Sequence, residues 1–231
     1  FKTKLHSGAE FVLNQSHEEV VTPLVKKYIN SYKDLPMYVY QIQNKFRSEP
    51  RAKSGLLRGR EFIMKDLYSF HSDEKDLDDY YEKVKKAYFK IFKRFGFEDR
   101  TVLTYASGGT FSKYSHEFQT LCNEGEDEIY LCKKCNVAVN KEIINQQKSC
   151  PECGNTKLKP KKAIEVGNIF KLKTKFSDAF KLTYKDKHDQ KKPVVMGCYG
   201  IGLSRQIGTI VEIFHDRAGM ILPESVAPYK Y

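Results

Sequence analysis

No apolar run in this sequence approaches the roughly 18 residues that a transmembrane helix needs, so no helical membrane span is expected. No signal peptide is legible at its start. Internal repeats and low-complexity linkers are also missing, which argues against a solenoid or a disordered tether. A narrower absence is more informative. Residues 131–192 contain no arginine, yet they hold 16 Lys against 6 Asp+Glu. The whole chain of 231 residues has a formal net charge of +11, and this stretch supplies +10 of it. At 40% hydrophobic the chain can bury a core, which excludes wholesale disorder. Its length suits one domain, or one large domain with a small module. A positive excess points to a polyanionic partner, with nucleic acid ahead of a membrane surface.

Four of the six cysteines form two CxxC pairs, Cys132 with Cys135 and Cys150 with Cys153, 14 residues apart. That spacing suits a tetrahedral zinc ribbon. Each CxxC turn aims two thiolates at one ion, and Gly154 supplies the glycine that such a knuckle favours. Disulfides or unrelated thiols are the alternatives. A lysine-rich chain without a signal peptide reads as cytoplasmic, where disulfides are rare. A four-thiolate zinc has no open position, so its role would be structural. Cys122 and Cys198 read as small buried residues.

Ser16 to Glu19 reads as a capping box, with Ser16 as N-cap ahead of a helix of about 15 residues. Met37–Phe46 alternates as a strand does, and so does 61–70, giving a hairpin with a long basic loop. From Asp73 to Phe95, apolar residues recur at helical spacing, acids crowd the first turns, and Gly96 stops the pattern. Strands are expected near 100–105, 117–122, 128–131, 163–172 and 193–199, with a short helix at 176–180. Gly200-Ile201-Gly202 reads as a turn opening a helix through Phe214. The fold class is therefore α+β, a mostly antiparallel sheet flanked by helices.

Two arginine sites stand out. The first is Arg47-Ser48-Glu49, a basic loop, then Arg58 to Phe62 and Asp66. The second is the glycine-rich segment 197–202 followed by Arg205. A guanidinium suits phosphate because its planar fork gives bidentate bonds and keeps its proton. Phe62 could stack a base. Taken alone, each site is weak, since a surface hairpin with ordinary salt bridges explains the first and GxG before a helix is common.

The two sites resemble motifs 2 and 3 of class II aminoacyl-tRNA synthetases. The fuller strings resemble the bacterial-type prolyl-tRNA synthetases: Leu56 to Phe70, Ser115-His116-Glu117-Phe118, Glu165 to Phe170, and Met196 to Gly202. The resemblance implies that proline attacks the α-phosphate of ATP to give prolyl-adenylate, which the terminal ribose of tRNA(Pro) then intercepts. It places Arg47 on the α-phosphate and the substrate carboxylate. Glu49 would hold the adenine edge and Phe62 its face. Arg205 would cover the other face or the γ-phosphate, Arg58 would meet the outer phosphates, and Glu165 would lie on the metal side of ATP. Mg²⁺ would bridge phosphate oxygens. Glu18 would take proline's secondary ammonium with help from Ser16, His116 would line the ring pocket, and Phe170 would form an apolar wall.

Ser16 stands where the family usually has Thr, Asn168 where it has His, and Asn14-Gln15 where it has Gly-Pro. Bacterial relatives commonly carry a large editing domain between motifs 2 and 3. Here residues 131–165 fill that interval, so cis-editing is not expected. Motif 1, which builds the family's homodimer interface, is expected before Phe1. Residues 223–231 resemble the start of the link to an anticodon-binding domain. The organisation so read is a catalytic core at 1–130 and 163–222, with a zinc-ribbon-like insertion at 131–162. A non-catalytic synthetase-like module that binds tRNA or regulates is the second reading, disfavoured by the intact Arg47, Glu49, Arg58, Phe62 and Arg205. A class II synthetase for another amino acid is the third, disfavoured by Glu18 with His116.

Overall fold

A computed structural model describes residues 1–109, 111 and 113–229. Those residues form twelve β-strands and four α-helices. In chain order they are β1 (Lys2–Lys4), β2 (Glu10–Val12), α1 (Glu18–Val25), β3 (Met37–Phe46), β4 (Glu61–His71), α2 (Glu74–Arg94), β5 (Thr101–Ser107), β6 (Tyr114–Leu121), β7 (Asp127–Cys132), β8 (Val137–Asn140), β9 (Lys159–Lys173), α3 (Lys175–Phe180), β10 (Thr183–Lys185), β11 (Lys191–Pro193), β12 (Val195–Gly202) and α4 (Leu203–Ile213). Eight strands make one sheet in the order β3-β4-β12-β9-β6-β5-β8-β7. All its pairings are antiparallel except β5 with β8. The first half of the long β9 also pairs with β7, which closes β9, β6, β5, β8 and β7 into a ring. Ile129, Leu131, Val102, Ala138 and Ala163 fill it.

Helices cover both faces of the sheet. Helix α2 is capped by Asp73, whose side chain accepts from the Asp76 backbone. It buries Leu77, Tyr81, Val84, Tyr88 and Phe92. These pack on Phe118, Ile169, Tyr199 and Ile201. Helices α1 and α3 cover the other face through Val21, Val25 and Phe176 against Tyr68, Phe70, Met196 and Cys198. Gly197 is compulsory at the α2 face, because a Cβ there would sit 2.8 Å from the Ser69 hydroxyl and 2.9 Å from Leu77.

Two expectations are corrected. Helix α1 has 8 residues, not about 15, and His17 rather than Ser16 is its N-cap, without a side-chain capping bond. The Ser16 hydroxyl is already committed to the Glu18 carboxylate, so the capping box does not form. Gly200, Ile201 and Gly202 are not a turn. They are the end of β12, paired with Asp66, Lys65 and Met64, and α4 begins at Leu203.

Candidate active site

Strand periodicity builds the site. Phe62, Met64 and Asp66 share one face of β4, and Cys198, Gly200 and Gly202 share the same face of β12. The register sets Gly200 opposite Asp66 and Gly202 opposite Met64. Where the glycines have no side chains, the floor is hollow. A cavity of about 530 Å³ opens there, on the face covered further along by α1 and α3. Arg47, Glu49, Arg58, Phe62, Glu165, Arg205, Ser16, Glu18 and Phe170 all line it.

A bulge makes the β9 wall possible. Phe118 pairs with Gly167 and Gln119 with Glu165, leaving Val166 as the extra residue. Glu165 and Asn168 are three apart and on a regular strand would face opposite ways. The bulge brings both to the cavity, with the Asn168 amide donating to Glu165 over 3.2 Å. Arg205 on α4 donates to the Glu165 carboxylate over 2.9 Å and to the Leu57 carbonyl over 2.9 Å. Arg58 is paired with Glu126 over 2.7 Å and approaches Glu49 to 3.6 Å. The Arg47 guanidinium lies over the Phe62 ring, 5.1 Å from its centroid. Burial, with the Glu165 charge next, pushes the neighbouring Glu117 carboxyl up to about 8.

The Glu18 end of the cavity is tight. Glu18 is 3% exposed and accepts from Ser16 and from the Cys198 thiol at 3.3 Å. Phe111 packs edge-on against Phe170, with centroids 5.1 Å apart. Sequence reasoning missed Asp66 as a floor residue, Cys198 as a donor and Glu126 as the partner of Arg58. Asp66 was legible from its spacing to Phe62, while Glu126 lies in an acidic run with no period.

His116 does not line the cavity. It points toward α2, between Tyr81 and Tyr105. The Tyr81 hydroxyl gives its proton to the Ile169 carbonyl at 3.1 Å, so the imidazole Nδ1, 2.8 Å away, donates to that oxygen. Burial lowers its pKa to about 4 and keeps it neutral.

The four CxxC sulfurs lie within 4.8 Å of one another. The pairs 132–153, 135–150 and 135–153 are 3.7, 3.2 and 3.6 Å apart. Four thiolates around zinc at about 2.3 Å stand roughly 3.8 Å apart, so the set fits that ion. The two knuckles match. Asn136 and Gly154 follow the second cysteine of each with positive φ, and each donates to the first cysteine's carbonyl over 2.9 Å. Glu142 and Glu152 tie this module to β5 through the Ser107 amide and the Tyr105 hydroxyl.

The chain matches the tRNA synthetase class II core domain (G, H, P, S and T) over residues 1–214. It is 41% identical to the proline--tRNA ligase of Sulfurimonas denitrificans, over 95% of this chain and 55% of that protein. It is also 41% identical to the probable mitochondrial proline--tRNA ligase of Schizosaccharomyces pombe, over 100% of this chain and 55% of that one. The chain thus spans about half the length of the curated relatives it matches. Among solved structures, Giardia lamblia prolyl-tRNA synthetase in complex with prolyl-adenylate superposes with a TM-score of 0.74 at 19% identity, covering 99% of this chain and 39% of that one. At that identity the likeness bears on the fold. With its sheet, its cavity and this match over residues 1–214, the chain belongs to the class II tRNA synthetase core-domain family.

Proposed function

We propose that this chain is the catalytic core of a proline--tRNA ligase, which activates proline with ATP and passes the prolyl group to tRNA(Pro). The observation that carries the reading is the single cavity that unites Arg47, Phe62 and Arg205 with Glu18 over a glycine floor. In adenylate formation the proline carboxylate attacks the α-phosphorus and pyrophosphate leaves. No protein nucleophile is needed, so placement and charge do the work. Arg47 draws the carboxylate and α-phosphate together, Phe62 and Glu49 seat the adenine, and Arg58 exchanges Glu126 for the outer phosphates. Glu18 takes the substrate ammonium. Phe170 and Phe111 wall the ring, and His116 braces that wall from behind through Tyr81 and the Ile169 carbonyl.

The Glu165 carboxylate and the Asn168 amide oxygen, which is buried without a partner, are hard oxygen donors that fit Mg²⁺. Mg²⁺ held there would offset phosphate charge. Cys132, Cys135, Cys150 and Cys153 hold a structural zinc. The lysine-rich segment beside that module contacts the tRNA backbone. A homodimer fits the edge strand β3, which leaves Tyr38, Tyr40 and Ile42 exposed. No helix among the described residues is long and apolar enough to cross a membrane. The cytoplasm suits the unpaired thiols.

The test is ATP–pyrophosphate exchange by the purified protein across the full set of amino acids. Exchange driven by proline is expected, and none with proline would overturn the reading.

A further inference from the structure

Strand β3 has one fully buried side chain, and it is a lysine. Lys45 is 1% exposed. Its backbone pairs with Phe62, yet its ammonium runs back along the strand to the Asp66 carboxylate, with which it forms a close ion pair. It also meets His17 Nδ1 at 2.6 Å. An ammonium can only donate, so Nδ1 accepts and the imidazole proton sits on Nε2. Burial first, and the Lys45 charge second, lower the His17 pKa and keep the ring neutral. Asp66 and Glu18, each 3% exposed, both line the cavity. This end of the site therefore holds two carboxylates and one cation.

Two buried carboxylates at one end of a cavity need compensating charge, and a lone carboxylate is left unpaired when its partner cation is removed. We propose that Lys45 is a positioning residue for amino-acid activation: its ammonium neutralises Asp66, so that Glu18 alone meets the substrate's ammonium with one uncompensated charge. This rests on the reading of the cavity as a proline-activating site. The floor then carries a net charge of −1 and matches a monocationic amino group. The neutral His17 fixes the Lys45 head at the start of α1, beside Glu18. The remaining titratable groups around Asp66 are Lys65 and Tyr68 on β4, Cys198 on β12 and Tyr88 on α2. Burial holds Tyr68, Tyr88 and Cys198 in their neutral forms.

The test compares Lys45→Met, Asp66→Asn and the double variant in proline-dependent ATP–pyrophosphate exchange from pH 6 to 9. Lys45→Met leaves two uncompensated carboxylates at this end of the floor. Its KM for proline should rise about tenfold or more, while KM for ATP moves little. Asp66→Asn frees the ammonium to pair with Glu18, and KM for proline should rise again. The double variant restores the net charge and should recover most of the loss. This also guards against a single variant that fails to fold, since a buried charge left alone is strongly destabilising. A double variant as impaired as the singles, or an equal rise in KM for ATP, would overturn the inference. If the unmodified protein shows no proline-dependent exchange, the functional reading fails instead.

Discussion

The guanidinium of Arg47 covers one face of Phe62 at 5.1 Å, so the proposed phosphate-binding group and the proposed base-stacking ring are held as one unit. Arg47→Ala should remove a transition-state donor and loosen the ring together. Proline-dependent exchange should fall by about 100-fold or more, as should that of Arg205→Ala. Unchanged exchange in either variant would remove its assigned role.

Glu18 should discriminate between the two substrates. Glu18→Gln keeps the shape and loses the charge, and a hydrogen bond to a charged group is worth about 1.5–3 kcal/mol. KM for proline should rise about tenfold or more, with KM for ATP little changed. Equal effects on both would point to a general collapse of α1.

The cysteine module should carry about one zinc per chain. Elemental analysis gives the count, and Cys150→Ser should lose the metal and lower the melting temperature. A fully folded protein with no metal and four titratable thiols would dismiss the site.

His116 makes a pH prediction. Its folded-state pKa is lowered to about 4 from an ordinary 6.5, chiefly by burial. The unfolded chain therefore binds the extra proton first as pH falls. Stability should be full above 6.5 and decline between 6.5 and 4, by up to about 3 kcal/mol. His116→Gln should flatten that part of a urea-denaturation profile. An unchanged slope would mean that His116 protonates freely in the folded protein.

Lys157, Lys159, Lys161 and Lys162 are all exposed. Reversing their charge should weaken tRNA charging, most at low salt and less as salt is added, and spare adenylate formation. Equal charging at every salt concentration would leave the run as a solvated surface.

The hairpin of β3 and β4 and helix α2 were legible because alternation and helical spacing are properties of the local chain. The bounds of β3 fell where they were expected. Helix α1 was misjudged because Ser16 had two possible partners, and the choice between a backbone amide and Glu18 is made in three dimensions. Gly200 and Gly202 looked like a turn because glycine marks turns and close backbone approach alike. Only the β4 partner decides between them. Lys45 was invisible for the opposite reason. A lysine in a strand reads as exposed unless its counter-charge is known, and Asp66 lies 21 positions away. Motif strings brought Arg47, Glu49, Arg58, Phe62, Glu165 and Arg205 into view as cavity residues, whereas His116 lies off the cavity because β6 turns its odd- and even-numbered side chains to opposite faces.

The extra residue at Val166 has a consequence for how the chain tolerates change. The sheet is indifferent to most surface substitutions, but the distance from Glu165 to Asn168 is counted in whole residues. Removing Val166 would let β9 pair evenly with β6 and would conserve every ladder bond. Glu165 and Asn168 would then stand two apart and still face the cavity together, and what the chain would lose is the Val166 side chain from the packing beneath α2. Flattening the bulge with Val166 kept has the opposite effect: if Val166 paired with Gln119, Glu165 would turn out of the cavity, so the site depends on the bulge only because the extra residue is there.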